Sequence, residues 1–183
     1  MQLGRRSGAV LAGAAFGFLA GLAAIPARKL AIQSAEATIG DWVDILTAEH
    51  RGIEKAFDAV LRTEDVEAAK RQVLLLKIAH DLNKHALQEE NVVYPAIRKL
   101  NPSSAGQLVA DHAEIKSLLS VLQYDIAKSD PQWLATVAML KDKVVSHALL
   151  EEQTVFPSTR AAMSADENAA LTRHMNWEGL KVA

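Results

Sequence analysis

The chain contains no cysteine, and that absence removes disulfides, thiolate nucleophiles, Cys-ligated zinc and iron–sulfur clusters together. Any metal must be held by imidazole and carboxylate, donors that suit iron, manganese or zinc. Aromatic residues are scarce at 5%, whereas hydrophobic residues make up 50%, so the core is expected to be built mainly from Ala, Leu, Val and Ile. Neither sign of charge dominates. The formal net charge is −2 over 183 residues, with no Lys/Arg-rich run, which argues against a nucleic-acid partner. Strand-like alternation is also missing from Asp41 onward, where apolar residues follow helical spacing. The length allows one domain of ordinary size with an additional segment.

One long apolar run is present. The 21 residues between Arg6 and Arg28, SGAVLAGAAFGFLAGLAAIPA, carry no charge, and about 20 suffice for a helix to cross a bilayer core. Residues 7–27 are therefore expected to anchor the protein in a membrane. Gly13, Gly17 and Gly21 fall four apart, so they share a helix face on which a second such helix can pack closely. Arg5 and Arg6 precede the run, and Arg28 and Lys29 follow it, so flanking charge sets no orientation. The alternatives are an export signal cleaved near Ala37, after Ala35-Glu36-Ala37, which would leave the protein periplasmic, and a Gly/Ala-rich helix that lies on a surface. In each case residues 1–40 stand apart as a hydrophobic segment and linker.

Helix punctuation divides the remainder. Helix 1 is predicted from Asp41 to about Arg62, with Trp42, Ile45, Leu46, Ile53, Phe57, Val60 and Leu61 forming its apolar stripe. Helix 2 starts within 65–69 and runs to about Lys99. Asn101-Pro102 and Asp130-Pro131 each read as an N-cap followed by proline at the first helical position. They open helix 3 and helix 4, the latter reaching about Phe156. Ser164-Ala165-Asp166-Glu167 is a capping box that starts a short helix in a tail spanning 161–183. Short connections make successive helices antiparallel, so an all-α, up-down-up-down four-helix bundle is expected over residues 41–160.

A repeat supplies the chemistry. Residues 85–95 read HALQEENVVYP and residues 147–157 read HALLEEQTVFP, with seven of eleven positions identical at an offset of 62. Upstream, Glu49-His50-x-x-Ile53 matches Asp111-His112-x-x-Ile115 at the same offset. The bundle is thus one helical hairpin used twice, with a His on its first helix and His-x-x-x-Glu on its second. Positions i and i+4 share a helix face, so His85 pairs with Glu89 and His147 with Glu151. Depth follows from the turns, because residues level on antiparallel helices lie equally far from the turn between them. His112 and His147 are centred on 129–130, Glu89 and His112 on 100–101, both at predicted turns. His50 and His85 are centred on 67–68, which implies a longer first connection. Four histidines and two glutamates at one level would be costly to bury unpaired, and a dinuclear metal centre pairs them.

These residues resemble the hemerythrin-like (HHE cation-binding) family over about residues 41–160. The resemblance implies a four-helix bundle with a non-haem di-iron centre, in which His50, His85, His112 and His147 are terminal ligands and Glu89 and Glu151 bridge. It also selects iron among the metals that the donors permit. Ferritin-like bundles are less similar, because they use Glu-x-x-His spacing. Oxygen-carrying hemerythrins have a second helix 3 histidine four residues after the first; Lys116 stands there in this chain and cannot ligate while protonated. Its counterpart by the repeat is Glu54, which is expected to add a carboxylate, to pair with Lys116 or, equally, to be with it a solvated helix charge. Glu90 and Glu152 read as supporting or outward-facing groups, and Tyr94 and Phe156 as packing, with a hydrogen bond open to Tyr94. His80 lies about 140° around the helix from His85 and His174 lies in the tail, so both are expected at the surface.

The function this implies is a di-iron protein that binds or reacts with a small oxidant (oxygen, peroxide or nitric oxide) or senses iron. Peroxide decomposition is an open activity. An iron-buffering module at a membrane and a metal-free helical scaffold are the alternatives. Changing His85 and Glu89 to Ala is expected to abolish metal loading of residues 38–183, and changing His80 to Ala to leave it intact, as read by metal assay of the purified proteins.

Overall fold

The computed structural model describes residues 40–182. The expectations placed on residues 7–27, on Gly13, Gly17 and Gly21, and on cleavage near Ala37 lie outside them. Among the described residues no helix is long and apolar enough to cross a membrane, and every regular element is helical.

The first bundle helix, α1, spans Trp42–Leu61. Asp41 caps it, accepting from the Val43 and Asp44 amides, while the Asp44 carboxylate accepts from the Asp41 amide in a reciprocal box. Gly40 sits just outside with φ at 136°, where an added Cβ would lie 2.3 Å from the Asp44 carboxylate. A short 3₁₀ turn, Asp65–Glu67, leads into α2, Ala68–Gln88, giving the longer first connection that the His50–His85 spacing required. A π turn, Glu89–Val93, joins α2 to α3, Tyr94–Leu100. Asn101 caps α4, Pro102–Ser120, and a π turn at Val121–Asp125 ends it. Asp130 caps α5, Pro131–Leu150, which passes through a third π turn, Glu151–Val155, into α6, Phe156–Ala162. Ser164 opens α7, Ala165–Leu180, with the predicted capping box.

The π turns at Glu89–Val93 and Glu151–Val155 keep the offset of 62, and each lies just before a proline, Pro95 or Pro157. A proline inside a helix lacks an N–H and its ring collides with the carbonyl four residues back. Here that carbonyl belongs to Asn91 or Gln153, inside the π turn, and the widened turn accommodates the ring. The fourth helical path therefore continues past Phe156 to Ala162, further than the sequence suggested.

Two apolar layers fill the bundle. One is built on Ile53, Phe57, Leu75, Ile78, Leu119, Trp133 and Leu140. The other is built on Trp42, Ile45, Leu46, Ile97, Leu108, Phe156, Leu171 and Met175. The histidines and glutamates lie between them. The second layer includes α7, so the segment set apart as a tail is packed: Trp42 Nε1 donates to Asn168 Oδ1 at 2.9 Å and Trp42 N to Thr172 Oγ1 at 3.0 Å.

At the far end Arg71 is fully buried. Its guanidinium lies over the Trp133 ring at 5.4 Å, donates to Thr63 Oγ1 at 2.9 Å and to the Lys128 carbonyl at 2.6 Å, and pairs with Asp65 at 2.9 Å. It thereby ties the first connection to the one before α5. Arg71→Ala is expected to cost the metal-free protein about 2–4 kcal/mol in urea unfolding, since buried acceptors lose their donor. Arg71→Met should cost less, because it keeps the apolar contact with Trp133.

Candidate metal centre

His50 comes from α1, His85 from α2, His112 from α4 and His147 from α5, while Glu89 and Glu151 each open a π turn. All six are buried, and the two glutamates completely. The four Nε2 atoms converge. His50 Nε2 and His85 Nε2 are 2.8 Å apart. Glu89 Oε2 lies 3.2 Å from the Nε2 of both His85 and His112. Glu151 reaches His50 Nε2 with Oε2 at 3.3 Å and His147 Nε2 with Oε1 at 3.4 Å. Both carboxylates therefore span the two halves of the repeat. Donor atoms of His50, His85, Glu89 and Glu151 lie within 4.8 Å of one another, and so do those of Glu89, His112 and His147.

The outward ring nitrogens explain why the inner ones face each other. His85 Nδ1 meets Glu49 at 2.9 Å, His112 Nδ1 meets Glu90 at 2.7 Å, and His50 Nδ1 meets Glu152 at 2.8 Å. His147 Nδ1 lies 3.5 Å from Asp111. An ionised carboxylate only accepts, so each Nδ1 in such a bond carries a proton, and when the ring is neutral Nε2 has an inward lone pair. This is the orienting arrangement found behind metal-bound histidines. Three braces and one near approach form a ring: the acid on α1 holds the His of α2, the π-turn acid after α2 holds that of α4, the π-turn acid after α5 holds that of α1, and the acid on α4 faces the His of α5, whose Nδ1 makes no hydrogen bond.

The interior is suited to cations. Glu89 Oε1 and Glu151 Oε2 are buried without a hydrogen-bond partner, a costly condition for carboxylate oxygens unless a cation takes them. Burial works to lower the affinity of His85 for protons, yet the Glu89 charge and hydrogen bonds to Glu49 and Glu89 hold its pKa well above the usual imidazole range. Glu89 shows the converse: burial raises it, but His85 and His112 carry it well below the ordinary carboxylate value. The donors thus compete for positive charge, and the residues present fit a metal-binding site.

Tyr94 enters this site directly. Its hydroxyl donates to Glu151 Oε1 at 2.8 Å and also lies 3.0 Å from His112 Nε2, 3.2 Å from Glu89 Oε2 and 3.3 Å from His147 Nε2. Burial and then the two glutamate charges push its pKa upward, so it acts as a neutral donor. Phe156, its repeat counterpart, stacks near His50 instead, with ring centroids 6.4 Å apart. Lys116 is placed against Glu90, Nζ to Oε1 at 2.6 Å, not against Glu54. Glu54 is exposed and lines a surface groove with Arg51 and Glu152. His80 and His174 are exposed, as expected. Sequence reasoning gave no role to Glu49 and Asp111, although both stand immediately before a site histidine at the offset of 62, which was the available signal.

An all-helical bundle with buried imidazoles and carboxylates arranged in this way defines, first, a metal-binding helical protein. More particularly, the chain belongs to the hemerythrin family: the model of the hemerythrin HHE cation binding domain matches residues 41–158. A curated relative, described as a DNA nickase from Nostoc sp. (strain PCC 7120 / SAG 25.82 / UTEX 2576), is 29% identical over 125 residues, covering 68% of this chain and 35% of its own length. The chain thus spans about a third of that relative. No solved structure matches.

Tyr94→Phe keeps the ring packing but withdraws the hydroxyl from buried acceptors. The metal-free variant is expected to lose about 1–3 kcal/mol in urea unfolding. The loss should be smaller in the metal-loaded protein, where cations satisfy the same oxygens.

Proposed function

We propose that the protein is a non-haem di-iron protein whose centre binds or reacts with a small oxidant (oxygen, peroxide or nitric oxide) or senses iron. The observation that carries this reading is the 2.8 Å approach of His50 Nε2 to His85 Nε2 while both Nδ1 atoms are engaged by carboxylates. In the metal-free protein a proton on one Nε2 makes this contact a hydrogen bond, and a cation bound by both rings would take that proton's place. Two ions are supported by two donor groups that share Glu89, and iron by the family. When bound, iron would supply Lewis acidity and redox chemistry.

The protein's own residues favour a small ligand. Beside the imidazoles lies a cavity of about 20 Å³, walled by Ile53, Leu82, Ala86, Ile115, Leu119 and Val144 and bordered by Asn83 and Lys116. That space admits one molecule of about the size of water, and its apolar walls limit competing solvent. Lys116 stands where an oxygen carrier has a further imidazole, which supports sensing or redox chemistry over carriage. The uncharged run at 7–27 supports an attachment to a membrane, with contact between copies through Gly13, Gly17 and Gly21. The nickase description belongs to a much longer chain, and the net charge of −2 supplies no general attraction to DNA phosphates.

Aerobically purified protein is expected to contain nearly two irons per chain and to show near-ultraviolet charge-transfer bands that change on adding peroxide, oxygen or nitric oxide. Failure to take up metal after iron supplementation would sink the reading in favour of a scaffold. Loading without any response to these ligands would favour buffering. Conversion of supercoiled plasmid to the nicked form by the loaded protein, lost in His85→Ala, would redirect it to nucleic acid.

A further inference from the structure

The α7 helix lies wholly beyond residues 41–158, the span matched by the family model, yet it packs against α1, α2 and the π turn that carries Glu89. Leu171, Met175 and Gly179 form its buried face. At Gly179 the helices come so close that an added Cβ would sit 2.8 Å from the end of the Gln88 amide, 3.0 Å from its Cδ and 3.1 Å from Lys84 Cε.

Gln88 is fully buried, and a buried amide is costly unless bonded. The surrounding hydrogen bonds fix its orientation. With its NH₂ toward Glu49 it donates to both carboxylate oxygens, at 3.1 and 3.2 Å; the opposite orientation offers one 3.5 Å bond to the Met175 carbonyl. Glu49 in turn accepts from His85 Nδ1 at 2.9 Å and from Lys84 at 2.6 Å.

The other half of the repeat lacks this arrangement. Leu150 occupies the position of Gln88. Asp111, the counterpart of Glu49, is held by Gln107 and Lys143 at 3.0 Å each and lies 3.5 Å from His147 Nδ1. The tighter of these two braces is the one on which α7 stands.

We propose that α7 is a working part of the metal centre: through Gly179 and Gln88 it seats the Glu49 carboxylate against His85. Gln88 is then a positioning residue for the ion held by His50, His85, Glu89 and Glu151. The proposal rests on the two-ion reading above.

The test uses the full chain, loaded with iron and challenged with a chelator, as wild type, Gln88→Leu, Gly179→Ala and the double variant. Gln88→Leu installs the residue that the repeat already uses at 150. One ion should leave about 10–100-fold faster, in the range found when a ligand's supporting partner is lost, and the second at the wild-type rate. Gly179→Ala should accelerate the same ion by less, and add nothing once Gln88 is Leu. Its metal-free melting temperature combines the crowding of Gln88, which lowers it, with the helix propensity of Ala, which raises it, so the ion's release is compared after correction for that change. Acceleration of both ions alike, of neither, or in step with metal-free melting would overturn the proposal.

A second measurement needs no metal. Nitrogen NMR of His85 in the metal-free protein, at a pH high enough to neutralise the ring, should show one Nδ1–H tautomer in wild type and a mixture in Gln88→Leu; an unchanged tautomer overturns the proposal. If wild type binds fewer than two ions, the dinuclear reading fails, and the tautomer alone decides the role of α7.

Discussion

Everything at the centre of this bundle depends on how four imidazole rings are turned. A histidine on an inward helix face can present either nitrogen, and only the bond made by the other nitrogen decides which. Here carboxylates engage Nδ1 of His50, His85 and His112, with Asp111 near that of His147. The Nε2 lone pairs therefore point at one another and at two glutamates. Without that outer set the inner donors would have no fixed direction. With it they form a site that lacks only positive charge.

The polar layer persists because apolar layers close it on both sides. Trp133, Phe57 and Leu140 belong to one, and Trp42, Phe156 and Met175 to the other. Excluding water weakens screening, so the interactions between imidazoles and glutamates are stronger than the same groups would have at a surface. It also makes the unpartnered glutamate oxygens expensive. Burial and charge demand are thus the same fact viewed from the core and from the site.

Much of this was visible in the sequence because helical chemistry is local. Caps at Asp41, Asn101, Asp130 and Ser164, the His-x-x-x-Glu spacing and the offset of 62 all follow from neighbours within a few residues, and the structure brings the six predicted residues together as those signals imply. What was hidden depends on contacts between helices. Tyr94 lies five residues after Glu89, which in an α-helix is about 140° away. The π turn between them, which also accommodates Pro95, returns its hydroxyl to the site. Glu49 braces His85 and Asp111 faces His147 on neighbouring helices, a relation that no spacing along one helix reveals. The docking of α7 depends on Gly179 meeting Gln88 across 91 positions of sequence.

The ring of braces also has a direction. Every acid faces the histidine of the next bundle helix in chain order, and the last closes on the first. Four similar amphipathic helices can pack in either rotational sense with nearly equal apolar burial, so hydrophobicity alone does not distinguish the two arrangements. A bundle wound the other way would separate these acids from their histidines and leave several ionisable groups buried without partners. The ring is therefore compatible with one rotational sense of the bundle and not with the other.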